Sequence, residues 1–234
     1  MACSSSDDAG FVVGASSSGV PFTFLDVDTN APRGVMVDVV RAVAEDAGFP
    51  VEVRILPFNA LIPSLTSGRI RLIAAAMVMT PARKEVIDFS EPVYSYGEAL
   101  IVSSSDGGDY RSLGELKGRV VGAQVGTVYI DALRSSGLFP EVKVYDSIAD
   151  ILRDVNVGRI EAGFGDHPIV AYQIGTGSYP DVRLVAGYEP RIVGEIGIGV
   201  RKEDADLLAR LNQSLSRLKA NGTLDRIFAE WKLR

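Results

Sequence analysis

The fold of this chain is decided by the stretch FNALIPSLTSGRI at 58–70 and by its continuation RLIAAAMVMTPAR at 71–83. In the first stretch apolar side chains recur at helical spacing, and Gly68 is a typical helix end. The apolar run 72–77 carries no charge, as in a strand covered on both faces. Thr80-Pro81 then predicts the start of a second helix. A helix, a buried strand and a helix in succession predict an α/β fold.

Arg83 lies in the first turn of that second predicted helix, where a cation opposes the helix dipole. The placement is favourable when the site receives an anion, because a guanidinium and the N–H groups of a helix start can both hold one. The alternative role is a solvated surface arginine. The pattern therefore makes Arg83 a candidate for binding a carboxylate.

The composition is that of an ordinary globular protein and argues against several functions. The 234 residues are 47% hydrophobic and 23% charged, with a formal net charge of −6. No basic run offers a track for nucleic acid, and no apolar run approaches the roughly 20 residues of a membrane-spanning helix. With one histidine and one cysteine, the sequence offers neither a metal cluster nor a nucleophile–base set, so we expect no cofactor.

Two α/β units follow one another along the sequence. Strands and helices alternate at short spacing in each, which predicts mostly parallel sheets with right-handed crossovers. The second unit begins after the turn-rich break at 103–108. Among the predicted strands are the segments 21–25, 72–77, 160–164 and 196–201, and two helices at 205–221 and 224–232 end the chain.

Several short motifs also occur in a specific order. They are the helix motif at 60–65, Thr80-Pro81 with Arg83, Asp88-Phe89-Ser90 with Pro92, and the segments 113–122, 158–162, 197–202 and 222–227. In this order and spacing they resemble the solute-binding proteins that deliver polar amino acids to ABC transporters. The resemblance covers nearly the whole chain.

The resemblance implies an α/β protein of two lobes, the type II periplasmic-binding-protein fold. It places residues 10–99 and 195–234 in a discontinuous first lobe and 100–194 in a second, after a flexible polar tether at 1–9. Two hinge strands would join the lobes, which would then close on a ligand held between them. Open α/β sheets bind ligands at the carboxyl ends of their strands.

Carried over from the family, Arg83 takes the α-carboxylate of an amino acid and Asp166 takes its α-ammonium group. Asp166 follows the strand predicted at 160–164 and precedes a predicted helix, so a helix N-cap is its alternative role. Thr127 would give its hydroxyl and N–H to the carboxylate, or act as a simple N-cap. Phe58 matches an aromatic residue that stacks on the ligand.

Four further positions complete the expected site. Phe22 is expected near the mouth of the pocket or in the core. Val78 and Val128 stand where hydroxyl side chains are common, and Ala76 stands where binders of basic amino acids have a serine. The pocket is therefore less polar than is usual in the family and lacks an acid for a basic side chain, which predicts a neutral amino acid or a zwitterionic derivative. Other departures from the family pattern are Ser16, Gly19, Met36, Arg71 and Ala75.

Two other functions share this fold. Cyclohexadienyl dehydratases resemble these binding proteins, but their catalytic glutamate falls where this chain has Ile169, which cannot transfer a proton. A sensor domain of a receptor is the second alternative, although the chain ends at 231–234 without a linker into a membrane span. We therefore expect a binding protein without catalytic residues.

The N-terminal sequence bears on location. Cys3 follows a small residue and precedes the polar run 4–8, which resembles the lipid-modified start of a bacterial lipoprotein; a chance cysteine in a flexible tail is the alternative. The expectation is an extracytoplasmic monomer whose partners are a small amino-acid-like ligand and an ABC permease, with membrane attachment only through a lipid on Cys3.

Overall fold

The computed structural model describes residues 10–233. The chain forms two units, one extending to Tyr94 and resuming at Glu195, the other running from Ser95 to Gly194. The sequence-based boundaries were 99/100 and 194/195. The first of these differs by five residues because it falls inside a single continuous strand, Tyr94–Ser103.

The first unit begins with a strand, β1 (Phe11–Ala15). Its first helix, α1 (Val35–Ala47), forms because apolar residues recur along one of its faces. Val39, Val40 and Val43 are fully buried on one side of α1, and Gly48 ends the helix in the left-handed conformation, with φ 74°. The elements up to residue 89 are β1 (Phe11–Ala15), β2 (Phe24–Leu25), β3 (Pro32–Arg33), α1 (Val35–Ala47), β4 (Val51–Ile55), a 3₁₀ turn (Phe58–Ala60), α2 (Leu61–Thr66), β5 (Leu72–Ile73), α3 (Pro81–Val86) and β6 (Ile87–Phe89).

The chain passes into the second unit along the strand Tyr94–Ser103 (β7) and returns along the strand Val193–Ile196 (β12). In the second unit Ser147 caps a helix by accepting a hydrogen bond from Asp150 N. The remaining elements are β7 (Tyr94–Ser103), a 3₁₀ turn (Leu113–Leu116), β8 (Val120–Gln124), α4 (Val128–Ser135), β9 (Glu141–Tyr145), α5 (Ile148–Asn156), β10 (Ala162–Asp166), α6 (His167–Gly175), β11 (Val182–Leu184), β12 (Val193–Ile196), β13 (Gly199–Arg201), α7 (Ala205–Ala220) and α8 (Thr223–Glu230).

The two units have sheets of the same topology. The strand order is β4-β1-β5-β13-β6 in the first and β9-β8-β10-β7-β11 in the second, with β12 also pairing with β7. In each sheet the first three strands are parallel. The fourth strand comes from a distant part of the chain and is antiparallel to both its neighbours. The mostly parallel sheets predicted from sequence are therefore mixed sheets.

Three predicted strands are shortened or split in the structure. Only Leu72–Ile73 of the run 72–77 is a strand, and Ala76 further along has a left-handed backbone with φ 49°. The segment 196–201 is split because Ser90 accepts the N–H of Ile198 through its hydroxyl. The segment 21–25 begins with a turn, in which Phe22 N donates to Gly19 O, and only its last two residues form a strand.

Each unit has its own hydrophobic core. In the first, α2 packs with β5 and β6 through Leu61, Leu65, Ile70, Ile73, Ala75, Met77 and Ile87. In the second, the core lies between the sheet and α4 and includes Leu100, Val102, Leu116, Val121, Tyr129, Leu133 and Phe164. Within residues 10–233, none of the helices combines the length and apolar character needed to cross a bilayer.

Candidate ligand-binding site

Arg83 is held at the start of α3 by contacts on two sides. Thr80 caps this helix and accepts a hydrogen bond from Arg83 N at 3.2 Å. The Arg83 guanidinium donates from Nη1 to the carbonyl oxygen of Val78 at 2.5 Å, and its carbon lies 5.7 Å from the centroid of the Phe58 ring. These contacts fix the direction of a half-buried cation, as a site for a carboxylate requires.

Val78 and Ala76 contribute through the backbone. Val78 bridges to Ile196, and its carbonyl, not its side chain, contacts Arg83. The absence of a hydroxyl at position 78 therefore leaves this support of Arg83 intact. Ala76 is 3% exposed and has φ 49°, which is uncommon for a residue with a side chain; such backbone strain is concentrated at functional sites.

Phe22 lies in the core of the first unit. It is fully buried and packs edge-on against Tyr94, with ring centroids 5.7 Å apart. Of the two roles that the sequence left open for Phe22, the structure favours the core residue.

Asp166 ends β10 and directly precedes α6. Within the described part of the chain its carboxylate does not cap that helix. Instead Oδ1 accepts a hydrogen bond from the Tyr129 hydroxyl at 2.5 Å. Asp166 is thus the N-cap residue of α6 by position, but its side chain makes no capping hydrogen bond, and its carboxylate is directed towards α4.

Tyr129 is the residue that sequence reasoning missed. It lies in the first turn of α4 and is 3% exposed. Burial, and then the negative charge of Asp166, raise the pKa of Tyr129 well above 10, so that it remains a neutral donor at physiological pH. In the sequence, Tyr129 is visible only as an aromatic residue with a hydroxyl group on an otherwise apolar helix face. Its partner Asp166 lies 37 residues further along the chain, so the local sequence does not reveal the contact.

Thr127 and Val128 begin the same helix. Thr127 is the N-cap residue of α4, but its hydroxyl donates to the Gln124 carbonyl at 2.7 Å. Val128 is half-buried and packs against the core of the second unit. The backbone of Thr127 is thus fixed at the N-terminus of α4, while its hydroxyl proton is already engaged.

Glu98 is a second carboxylate of this unit and, unlike half-buried Asp166, it is buried. It is 4% exposed and lies opposite Asp166 in the β7–β10 pair. It accepts hydrogen bonds from Arg191 N at 2.6 Å, from Ile192 N at 2.7 Å and from the Tyr188 hydroxyl at 3.1 Å. These bonds assign Glu98 to holding the segment that leads into β12.

Within the first unit the structure brings Arg83, Phe58 and Val78 together, with Ala76 two residues away from Val78. Within the second it brings Asp166 to α4, the helix that Thr127 and Val128 begin. Ile169 is buried in α6. Among residues 10–233 no group of three or more His, Cys, Asp or Glu side chains is arranged to hold a metal ion.

Residues 11–234 match the profile of the bacterial extracellular solute-binding proteins, family 3. The chain belongs to this family. Members of the family act outside the cytoplasm. This chain is 29% identical over 221 residues to ABC transporter arginine-binding protein 1 of Escherichia coli (strain K12). The alignment covers 93% of this chain and 88% of the relative. The chain is also 28% identical over 220 residues to the L-cystine-binding protein TcyJ of the same strain, covering 94% and 81%.

Several solved structures share this fold over nearly the whole chain. An ancestral arginine-binding protein bound to glutamine has a TM-score of 0.87 and 30% identity, covering 96% of this chain and 98% of that one. An ancestral amino acid-binding protein, a precursor of cyclohexadienyl dehydratase, has a TM-score of 0.84 and 26% identity, covering 95% of both chains. A histidine kinase sensor domain has a TM-score of 0.89 and 26% identity, covering 96% of both.

Proposed function

We propose that this family 3 protein captures an amino acid as a zwitterion outside the cytoplasm and delivers it to an ABC importer. The observation that supports this most is that each unit holds one oriented charged side chain, a cation in the first and an anion in the second. Arg83 is oriented by Val78 O and Phe58, and Asp166 is oriented by Tyr129. Both stand at the positions where the family binds the carboxylate and the ammonium group.

The ligand that we propose has a neutral side chain. Ala75, Ala76 and Val78 are buried and apolar, and the hydroxyl of Ser16 lies 2.8 Å from that of Ser18. An acid is absent from position 16, where binders of basic amino acids have one. One solved relative, an ancestral arginine-binding protein, is bound to glutamine, a neutral amino acid. Since another relative is named for arginine, arginine is the competing ligand to test.

The test is isothermal titration calorimetry of the twenty standard L-amino acids against the wild type, Arg83→Ala and Asp166→Ala. Losing one partner of a buried charge pair costs about 2–5 kcal/mol, so each variant should bind at least about 30-fold more weakly.

Two matched controls separate a local effect from general damage. Arg210 also lies over a phenylalanine, with its guanidinium carbon 5.2 Å from the Phe49 ring centroid, and Asp154 also accepts from a tyrosine, Tyr145, at 2.9 Å. Arg210→Ala and Asp154→Ala should keep wild-type affinity. Unchanged affinity in Arg83→Ala would contradict the carboxylate site, and arginine as the tightest ligand would contradict the neutral pocket.

We further propose that the protein is a binder without catalytic activity, since buried Ile169 replaces the acid of the dehydratases. Purified protein should not dehydrate prephenate or arogenate; turnover that Asp166→Ala abolishes would contradict this. The monomeric state and a lipid on Cys3, which lies outside the described residues, remain proposals. Mass spectrometry of the N-terminal peptide of protein isolated from its native source would detect the lipid.

A further inference from the structure

We propose that Tyr129 is a positioning residue for the ammonium group of the bound amino acid, acting through Asp166. The inference rests on the proposed function, in which Asp166 receives that group. Tyr129 would then contribute to ligand affinity, although the sequence alone shows it only as an aromatic residue on one face of a helix.

The geometry fixes the carboxylate before a ligand arrives. The Tyr129 hydroxyl donates a hydrogen bond to Asp166 Oδ1 at 2.5 Å. Tyr129 itself is 3% exposed and belongs to the core of the second unit, so its ring cannot move with the carboxylate. A half-buried aspartate is thereby limited to one orientation, and the entropy of ordering it is not lost again on binding.

The chemistry of the donor matters as much as its position. A lysine or arginine at position 129 would orient Asp166 equally well, but its positive charge would compete with the incoming ammonium group. A buried phenol donates a proton without cancelling the carboxylate charge. Asp166 therefore keeps its full attraction for a cation while its direction is set.

The neighbouring acid, Glu98, strengthens the attraction of Asp166 for a cation. Glu98 faces Asp166 across the β7–β10 pair, and directly opposed residues of antiparallel strands project to the same face. Both Glu98 oxygens accept hydrogen bonds from within the second unit. Glu98 thus adds negative potential beside Asp166, while Asp166 is the carboxylate that Tyr129 directs.

The experiment compares Tyr129→Phe with Tyr145→Phe. Both changes delete one tyrosine–aspartate hydrogen bond of the second unit, because the Tyr145 hydroxyl donates to Asp154 at 2.9 Å. Wild type and variants are titrated with the twenty standard L-amino acids, and the tightest of these is used for the comparison. We expect Tyr129→Phe to weaken binding about tenfold and Tyr145→Phe to leave affinity unchanged.

A double-mutant cycle tests whether the effect passes through Asp166. In an Asp166→Ala background, Tyr129→Phe should cause no further loss of affinity, because the carboxylate that it positions is gone. A merely structural role would weaken binding by the same factor in both backgrounds.

The outcomes are distinguishable. If none of the twenty amino acids binds the wild type, the proposed function fails, and this inference with it. If the wild type binds and Tyr129→Phe binds equally well or more tightly, the positioning role alone is overturned. A Tyr129→Phe protein that loses its far-ultraviolet circular dichroism would show a structural role and contradict the proposal as well.

Discussion

At the residue scale, the Phe58 ring lies beside the guanidinium of Arg83, with 5.7 Å between the guanidinium carbon and the ring centroid. A cation–π contact at a partly exposed site contributes about 0.5–1 kcal/mol. Phe58→Leu should therefore weaken amino acid binding by about twofold to fivefold, measured by calorimetry. Phe49→Leu removes the ring beside Arg210 and should reduce thermal stability without changing affinity; equal affinity losses in both variants would contradict a specific role for Phe58.

Arg83 and Asp166 can be proposed as site residues from the sequence, but Tyr129 cannot, because its role depends on a contact between residues far apart in the chain. Thr80, Pro81 and Arg83 are neighbours in sequence, so the cap and the cation of α3 can be predicted from one short stretch. The partner of Tyr129 is fixed only when β10 and α4 pack in one unit. In the same way, the residue types at 76–78 indicate neither the left-handed backbone of Ala76 nor the hydrogen bond from Arg83 to the Val78 carbonyl.

At the element scale, the segment between β5 and α3 is bent by Ala76, with φ 49°. The left-handed conformation costs an L-residue with a side chain about 1–2 kcal/mol. Glycine avoids this cost, but its greater entropy in the unfolded chain offsets part of the gain. Ala76→Gly should therefore raise the free energy of unfolding by up to about 1 kcal/mol, whereas Ala76→Val should lower it.

The neighbouring Ala75 provides the control for this prediction, because it is not among the residues of positive φ within 10–233. Ala75→Gly should lower stability in chemical denaturation. If Ala76→Gly and Ala75→Gly destabilise to the same degree, Ala76 is not strained.

The loop between β2 and β3 contains a carboxylate whose titration should appear in the acid stability of the protein. Asp26 accepts hydrogen bonds from Thr29 and Arg33, and these bonds lower its pKa from 3.8 to about 2. A depressed pKa stabilises the folded state above pH 4, and this contribution is lost as the pH falls towards 2. The difference in Tm between the wild type and Asp26→Asn should therefore shrink between pH 5 and pH 2; a constant difference would contradict the role of the charge.

At the scale of the whole molecule, ligand binding should be visible as added stability. An amino acid at 100 times its Kd contributes roughly 2.7 kcal/mol to the folded state, which corresponds to roughly 5–10 °C in Tm for a chain of this size. Differential scanning fluorimetry of the twenty amino acids measures it. In the double variant Arg83→Ala with Asp166→Ala the shift should vanish, and a shift that persists there would place the ligand elsewhere.

The sequence predicted two α/β units, because strand and helix periodicities alternate clearly in both. It did not predict where a fourth strand enters each sheet. β13 pairs with β5 and β6, and β7 pairs with β10 and β11, so each of these strands joins residues far apart in sequence. Local periodicity carries no information on such pairings, and the discontinuous first unit came only from the family resemblance.

The first unit cannot complete its sheet until β13, which is close to the C-terminal end of the chain, has been synthesised. β5 and β6 are joined only through residues 199–201 in the described sheet, and these leave the ribosome after the five main strands of the second unit, β7 to β11. The second unit can therefore pair its strands first, while β5 and β6 still present open edges to chaperones. On a nascent chain, the unit whose sequence is made first is expected to finish folding last.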